Sequence, residues 1–132
     1  MRIEREPLWL ARSEVDALHD ASIRDFGGSF GVRDAGLIES ALARPLTRWT
    51  YQPESDLAAV AAAYAFGLAK NHGYVDGNKR IGFLAMGVFL FINGHLLDAP
   101  EAEAVIVMLE LAAGERTEEQ LAGWIRDHLR PR

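Results

Sequence analysis

The residues best able to do chemistry lie in one run, residues 72–80, which reads His-Gly-Tyr-Val-Asp-Gly-Asn-Lys-Arg. Gly77 can adopt backbone angles that other residues resist, and it lets a ligand approach the main chain. We expect a helix to begin at Asn78, where the first amides have no partner within the helix and carry partial positive charge. Such a helix start after a glycine turn suits a phosphate. Lys79 and Arg80 would add two cations.

Two further side chains of this run would complete a reaction site. A carboxylate at Asp76 would repel phosphates unless a cation lies between them, which predicts a Mg²⁺ ion held by Asp76 and phosphate oxygens. The imidazole of His72, with an ordinary pKa of about 6.5, could take a proton from a hydroxyl nucleophile. The run therefore combines a general base, a metal-binding carboxylate, free amides and cations.

Each feature also has an ordinary structural explanation. A histidine at a helix end often caps that helix, an Asp-Gly pair often marks only a turn, and a Lys-Arg pair often faces solvent. Positive charge at a helix start opposes the helix dipole, however, and it is better explained if an anion completes the site.

The run resembles the signature of the Fic/Doc family, which reads His-x-Phe-x-[Asp/Glu]-Gly-Asn-Gly-Arg. In the Doc branch a lysine replaces the second glycine, as Lys79 does here, while Tyr74 stands where phenylalanine is usual. Ala35 departs from the proline often found after the preceding aspartate. Further similar segments are Leu18-His19-Asp20, Gly27-Gly28, residues 31–34, residues 43–45 and Asn93-Gly94.

The resemblance implies a role for each matching residue. His72 would activate the hydroxyl of a target protein, and Asp76 would hold Mg²⁺. The implied catalytic residues are His72, Asp76, Lys79 and Arg80, and the implied ATP-binding residues are Gly77, Asn78, Lys79 and Arg80. Residues 47–55 would form the flap that aligns a target peptide.

The resemblance also bears on the group transferred. Lys79 fills the space that the second glycine leaves open in the AMP-transferring enzymes, and Phe83 stands where a second arginine of the longer Fic motif would fall. Doc-type proteins act as kinases, so the resemblance implies transfer of the ATP γ-phosphate to a threonine of translation elongation factor Tu, which blocks translation. An AMP transferase on the same scaffold is the first alternative. A non-catalytic binding module with a degenerate site is the second.

A toxin of this type implies a partner that restrains it. The usual antidote in the family is a Phd-type antitoxin, whose disordered C-terminal segment folds into a helix on the toxin. Binding of that kind uses an apolar groove. The resemblance thus implies a type II toxin-antitoxin system.

Composition limits the remaining classes of function. The 132 residues are 49% hydrophobic and 25% charged, as expected for one globular domain over residues 1–132. The absence of cysteine excludes disulfides, thiolate metal sites and a cysteine nucleophile. A net charge of −5 disfavours nucleic-acid binding, although arginines could form a local basic patch. The longest apolar run, 81–92, is shorter than the roughly 20 residues of a membrane span. With no signal peptide visible, we expect a cytoplasmic protein.

The pattern of apolar residues and caps predicts an all-α fold, with six helices around a buried central helix over residues 78–93. Pro45 is expected to end the second helix, and residues 47–55, which lack a helical period, are interpreted as an exposed β-hairpin flap. Residues 7–10 are interpreted as a strand or an extended lead-in. The predicted N-caps are Ser13 with Asp16 at N3, Asp34, Asp56, Asp98 and Thr117.

Overall fold

Six α-helices and two three-residue strands make up the fold in the computed structural model, which describes residues 5–132. This architecture confirms the all-α prediction. The elements are α1 (Arg12–Phe26), α2 (Ala35–Tyr51), α3 (Leu57–Asn71), α4 (Asn78–Ile92), β1 (His95–Leu97), α5 (Glu101–Ala113), α6 (Glu118–Asp127) and β2 (Leu129–Pro131).

Small residues along α3 let two other helices approach it closely. A Cβ added at Gly67 of α3 would lie 3.1 Å from the Cα of Ala41 in α2, and one at Gly82 of α4 would lie 2.9 Å from the carbonyl oxygen of Ala65 in α3. Helices at this separation bury nearly all of the side chains between them. Helix α3 therefore packs directly against both α2 and α4.

The centre of the bundle is shared by α3 and α4. Helix α4 buries one face, which includes Ile81, Met86 and Phe89, as expected of a core helix. Its far side is less enclosed, since Phe91 is 47% exposed. Helix α3 is the more enclosed of the two, with eleven buried residues against seven in α4.

Three of the predicted helix starts are confirmed. The side chains of Asp34, Asp56 and Thr117 each accept a hydrogen bond from the backbone N–H three residues further on. Thr117 also forms the predicted reciprocal capping box with Gln120. These starts depend on contacts within one helical turn, so a local pattern is enough to find them.

Two predicted helix starts are wrong. Helix α1 begins one residue earlier than Ser13, with Ala11 at the N-cap and Glu14 at N3, and the Glu14 carboxylate accepts the Ala11 N–H at 2.7 Å. Helix α5 begins after Pro100 rather than after Asp98, because the carboxylate of Asp98 pairs with Arg130 at 2.6 Å instead of capping.

The predicted helix stop at Pro45 is also wrong. Helix α2 continues through Pro45 to Tyr51, so the first half of residues 47–55 is helical and forms no β-hairpin. A proline inside a helix removes one backbone hydrogen bond and costs about 3 kcal/mol.

Contacts at the end of α2 help to offset that cost. The ring of Trp49 packs edge-on against Trp9, with ring centroids 6.1 Å apart. The guanidinium of Arg48 forms an ion pair with Glu118 at 2.6 Å. These partners are distant in the sequence, so the local pattern around Pro45 does not reveal them.

The small sheet lies at the far end of α4. Strands β1 and β2 pair antiparallel, with Leu96 opposite Arg130. Residues 7–10 are extended without forming a strand, which agrees with the lead-in interpretation, and the Leu10 N–H donates to the Tyr64 hydroxyl at 3.1 Å. Among the helices of residues 5–132, none is both long enough and apolar enough to cross a membrane.

Candidate active site

The run of residues 72–80, from here on called the candidate loop, connects the C-terminal end of α3 to the first turn of α4. His72 ends α3 in the left-handed conformation, with φ 52° and ψ 47°. Within residues 5–132 it is the only non-glycine residue with positive φ, a conformation that favours glycine. Gly77, with φ 74°, precedes the first residue of α4. The two left-handed residues bracket the loop and turn the chain from one helix into the other.

Asn78 holds the loop closed from within. Its side-chain oxygen accepts the Tyr74 N–H and its side-chain nitrogen donates to the Tyr74 carbonyl, both at 3.0 Å. Asn78 is buried, so this amide is used inside the protein. Its predicted part in an anion hole therefore falls to its backbone N–H.

The first backbone amides of α4 have no acceptor. Within the described part of the chain, the N–H groups of residues 78–80 donate to no backbone or side-chain group, whereas the next amide, that of Ile81, donates to the Gly77 carbonyl at 2.9 Å. Unpaired amides at a helix start carry partial positive charge. These amides are therefore free to bind an anion, which remains the prediction made from the sequence.

Asp76 lies beside these amides with its carboxylate fixed in place. One carboxylate oxygen accepts the Ser29 N–H at 3.0 Å and the other accepts the Gly77 N–H at 2.9 Å. These two bonds lower the pKa of Asp76, which therefore carries a full negative charge near neutral pH. A Cβ added at Gly28 would lie 2.8 Å from the carboxylate, so glycine at position 28 leaves room for it.

The carboxylate of Asp76 suits a magnesium ion in its chemistry. It is exposed and ionised, and each of its oxygens keeps lone pairs beyond the one backbone bond it accepts. Residues 5–132 contain no cluster of three or more His, Asp or Glu side chains arranged for a metal. Mg²⁺ is commonly held by one or two carboxylates together with substrate phosphates, so a single carboxylate is sufficient.

The two cations of the loop differ in how they are held. The Arg80 guanidinium donates to the carbonyl of Gly27 at 3.0 Å and lies 5.6 Å from the ring centroid of Phe26. Lys79 is exposed and has no hydrogen-bond or ion-pair partner within residues 5–132. A bound anion would meet Lys79 without breaking any bond, while Arg80 is anchored to the end of α1.

His72 combines a fixed backbone with an exposed ring. Arg33 donates from its Nε to the His72 carbonyl at 2.7 Å, which supports the left-handed conformation. The imidazole itself is on the surface. Its ring nitrogens are therefore accessible to a substrate.

The segment beside the loop is residues 27–34, between α1 and α2. Val32 and Tyr74 face each other in an antiparallel bridge, closed by two backbone hydrogen bonds of 2.8 and 3.0 Å between the flanking residues. Residues 47–55, predicted to be the flap, lie instead at the N-terminal end of α3, away from the loop. The flap prediction is therefore wrong in position as well as in structure.

Sequence reasoning missed the support that α1 gives to the loop. His19 of α1 is buried, its Nε2 lies 2.7 Å from the Asp76 carbonyl, and its ring stacks on that of Tyr74. The Tyr74 hydroxyl donates to Asp16 at 2.5 Å. Two signals could have indicated such a contact: His19 lies on the same face of α1 as Val15, and it belongs to the family-like segment Leu18-His19-Asp20.

The protein is thus an all-α domain in which a helix begins directly after a glycine, Gly77, beside the single ionised carboxylate of Asp76. The family model described as "Fic/DOC family" matches residues 9–90, which include the whole loop. The chain belongs to this family.

Two relatives agree with that assignment. "Protein kinase doc" of Escherichia phage P1 is 34% identical over 122 residues, which cover 92% of each chain. "Toxin Doc" of Mycolicibacterium smegmatis is 46% identical over 85 residues, which cover 64% of this chain and 65% of the relative. The resemblance to Doc-type toxins noted from residues 72–80 is thereby confirmed.

Proposed function

We propose that this protein is the toxin of a type II toxin-antitoxin system and acts as a protein kinase. It would transfer the γ-phosphate of ATP to a threonine of translation elongation factor Tu and so block translation. The observation that carries the proposal is the row of unpaired amides at residues 78–80, with Lys79 in the position of the second glycine of the AMP-transferring enzymes. The similarity to a relative named as a protein kinase over 92% of both chains supports it.

The phosphates of ATP would bind at the start of α4. The free amides of residues 78–80 supply hydrogen-bond donors, and Lys79 supplies a point charge that no other group in the described chain uses. Arg80 is anchored on the Gly27 carbonyl through one nitrogen, and its remaining N–H groups could contact a phosphate. Asp76 would hold Mg²⁺, which would neutralise phosphate charge when bound.

His72 would act as the general base. In the proposed step, the threonine oxygen bonds to the γ-phosphorus, the bond from that phosphorus to the bridging oxygen breaks, and ADP leaves. The hydroxyl proton passes to a ring nitrogen of His72. The support of its backbone by Arg33 would keep the exposed ring near the reacting group.

The target peptide would lie along residues 29–33. Within the described chain, Val32 makes no hydrogen bond through its own N–H or C=O on the side away from Tyr74, and its side chain and that of Phe30 are exposed. An extended peptide could pair with this edge through main-chain hydrogen bonds. We therefore propose that this segment has the aligning role expected of residues 47–55.

The alternatives are one other reaction and one function without catalysis. An AMP transferase would use the same loop with the nucleotide in a different pose. Phe83 disfavours this reaction, because its ring packs against the core at the position where the longer Fic motif has an arginine. A non-catalytic binding module would not need the exposed imidazole of His72. The proposed partner in the cell is a Phd-type antitoxin. The proposed location of the protein is the cytoplasm, where elongation factor Tu acts.

The test uses purified elongation factor Tu, Mg²⁺ and ATP labelled at either the γ- or the α-phosphate. We expect only the γ-label to reach the factor. We expect His72→Ala to lower labelling by about 100- to 10,000-fold, the usual contribution of a general base. His95→Ala, at the opposite end of α4, is the matched control and should retain activity. Transfer of the α-label would establish AMP transfer instead, and full activity of His72→Ala would refute the proposed base.

A further inference from the structure

His19 is the buried polar side chain of α1 that touches the candidate loop. It is 1% exposed, lies between Val15 and Ile23 on the inner face of α1, and makes its contact across 57 residues of sequence. Nothing in the proposed phosphate transfer uses its ring directly. Burial of an imidazole lowers the stability of the fold unless its ring nitrogens form hydrogen bonds.

The contact of His19 defines where its proton lies. Nε2 is 2.7 Å from the carbonyl oxygen of Asp76, and a carbonyl oxygen can only accept. Nε2 therefore carries a hydrogen and donates it. This bond holds one end of the peptide unit between Asp76 and Gly77, and the N–H at the other end of that unit donates to the Asp76 carboxylate at 2.9 Å.

The ring of His19 is itself held in a fixed orientation. It stacks on the ring of Tyr74, with centroids 3.8 Å apart and planes inclined by 12°. Burial and the neighbouring Asp16 raise the pKa of Tyr74, so its hydroxyl stays protonated and donates to Asp16 at 2.5 Å. Asp16 in turn forms an ion pair with Arg12 at 3.0 Å. Two side chains of α1 thus hydrogen-bond to the loop, His19 to the Asp76 carbonyl and Asp16 to the Tyr74 hydroxyl.

We infer that His19 is a positioning residue for the proposed reaction. It acts through the peptide between Asp76 and Gly77, which carries the proposed metal-binding carboxylate on one side and leads into the unpaired amides of α4 on the other. Groups that hold a metal-binding residue in place typically contribute about 10- to 100-fold to affinity or activity. The inference rests on the proposed function, but its structural part can be measured without any reaction.

Three substitutions separate the hydrogen bond from the rest of the side chain. His19→Gln keeps a donor at about the distance of Nε2, whereas His19→Asn carries the same amide one carbon shorter and cannot reach the Asp76 carbonyl. His19→Phe keeps a flat ring on Tyr74 without a donor. If His19→Phe fails to fold, the Gln and Asn pair still tests the inference.

The first measurement is amide hydrogen exchange at Gly77 and Ser29, the two residues whose N–H groups hold the Asp76 carboxylate. We expect faster exchange at both in His19→Asn and His19→Phe, and near-normal exchange in His19→Gln. Unchanged exchange in both non-reaching variants would overturn the inference, whether or not the protein proves to be a kinase.

The second measurement is the labelling assay as a function of Mg²⁺ and ATP. We expect kcat to fall by about 10- to 100-fold in His19→Asn and the Mg²⁺ concentration for half-maximal rate to rise, with both effects largely reversed in His19→Gln. Equal losses in Gln and Asn, with exchange at Gly77 unchanged, would assign His19 a purely structural part. An inactive wild-type protein with the expected exchange pattern would reject the kinase proposal and retain the loop-positioning one.

Discussion

Charged side chains lie at both ends of α3, but at the N-terminal end most of them form ion pairs, whereas at the C-terminal end they do not. At the N-terminal end, Asp56 caps the helix and pairs with Arg126 at 2.5 Å. A cleft of about 470 Å³ lies there, and four of the charged side chains that line it, Arg48, Asp56, Glu119 and Arg126, are held in ion pairs. Two buried atoms of its lining, Arg48 Nε and the Ser55 hydroxyl, have no hydrogen-bond partner within residues 5–132. At the C-terminal end, Asp76 is bound only by backbone N–H groups, and Lys79 and the ring of His72 face solvent.

The difference separates charge used for stability from charge kept available for a ligand. Paired and capped groups at the N-terminal end lower the free energy of the folded chain, and a ligand would have to break those pairs to bind. Open groups at the other end add little to stability and meet a ligand directly. The size of a cleft is thus a poorer guide to function here than whether its charged side chains are already held in ion pairs.

The largest effect should come from Asp76→Asn at the open end. This change keeps the shape of the side chain but removes its charge, so we expect phosphate transfer to fall by more than about 100-fold, since supporting groups around a metal ligand alone contribute about 10- to 100-fold. The free energy of unfolding should fall only slightly, because the carboxylate is exposed, although the amide group of asparagine can replace only one of the two oxygens that accept backbone hydrogen bonds. Labelled-ATP assays and urea unfolding measure the two quantities. A fully active Asp76→Asn would remove Asp76 from the site.

Lys79→Gly tests which group is transferred. We expect γ-phosphate transfer to fall by about 10- to 100-fold, comparable to the loss of one charge-assisted hydrogen bond of about 1.5–3 kcal/mol. Because glycine restores the space found in the AMP-transferring enzymes, the ratio of α- to γ-label should rise. Lys79→Ala removes the charge without opening the backbone and is the control. An unchanged ratio in both variants would mean that Lys79 does not select the reaction.

Asp56→Ala should weaken the paired end without affecting catalysis. It removes a helix cap and leaves Arg126 without its partner, so we expect the free energy of unfolding to fall by about 1–2 kcal/mol. Phosphate transfer should be unchanged, because Asp56 lies at the opposite end of α3 from the loop. Loss of transfer at full stability would contradict the division between the two ends.

Asp98→Ala is the control for that change. Asp98 was predicted to be a cap but forms only an exposed ion pair with Arg130, which is worth at most about 1 kcal/mol. We expect a smaller loss of stability than for Asp56→Ala. Equal losses would show that the cap and the partly buried pair at Asp56 together add no more stability than one exposed ion pair.

The smallest effect concerns pH. Burial raises the pKa of Asp56, but the hydrogen bonds from Arg126 and the Ala59 N–H outweigh burial and lower it. A lowered pKa means that the ionised carboxylate adds stability above the unfolded pKa of about 3.9 and that this is lost as pH falls through the folded value. The difference in unfolding free energy between the wild type and Asp56→Asn should therefore be constant near neutral pH and shrink below about pH 4. Because asparagine also caps helices, a difference that persists in acid would contradict the assignment of the effect to the charge of Asp56.

The parts of the fold that depend on neighbours in sequence were predictable. The caps at Asp34, Asp56 and Thr117 act within one turn, and the glycine turn at Gly77 directly precedes its helix. The continuation of α2 past Pro45 was not predictable, because it depends on partners such as Trp9 that are distant in the chain.

The surroundings of the loop show the same limit. The residues of the run were identified from their order, but the segment that flanks them pairs across more than forty residues, as Val32 does with Tyr74. His19 gave two signs, its place on an apolar helix face and its place in the family-like segment Leu18-His19-Asp20, but neither identifies its partner. Its partner is a backbone carbonyl, which has no sequence signature.

The contacts of α1 have a consequence for the way the protein opens. Helix α1 packs mainly against α4, and its polar side chains His19 and Asp16 reach the loop. Helix and loop should therefore open as one cooperative unit, at a free energy below that of global unfolding. A substitution that weakens the packing of α1 should then disorder the loop around Asp76 before it changes the melting temperature. The fraction of molecules with an ordered site would therefore depend on how firmly α1 packs on the rest of the fold.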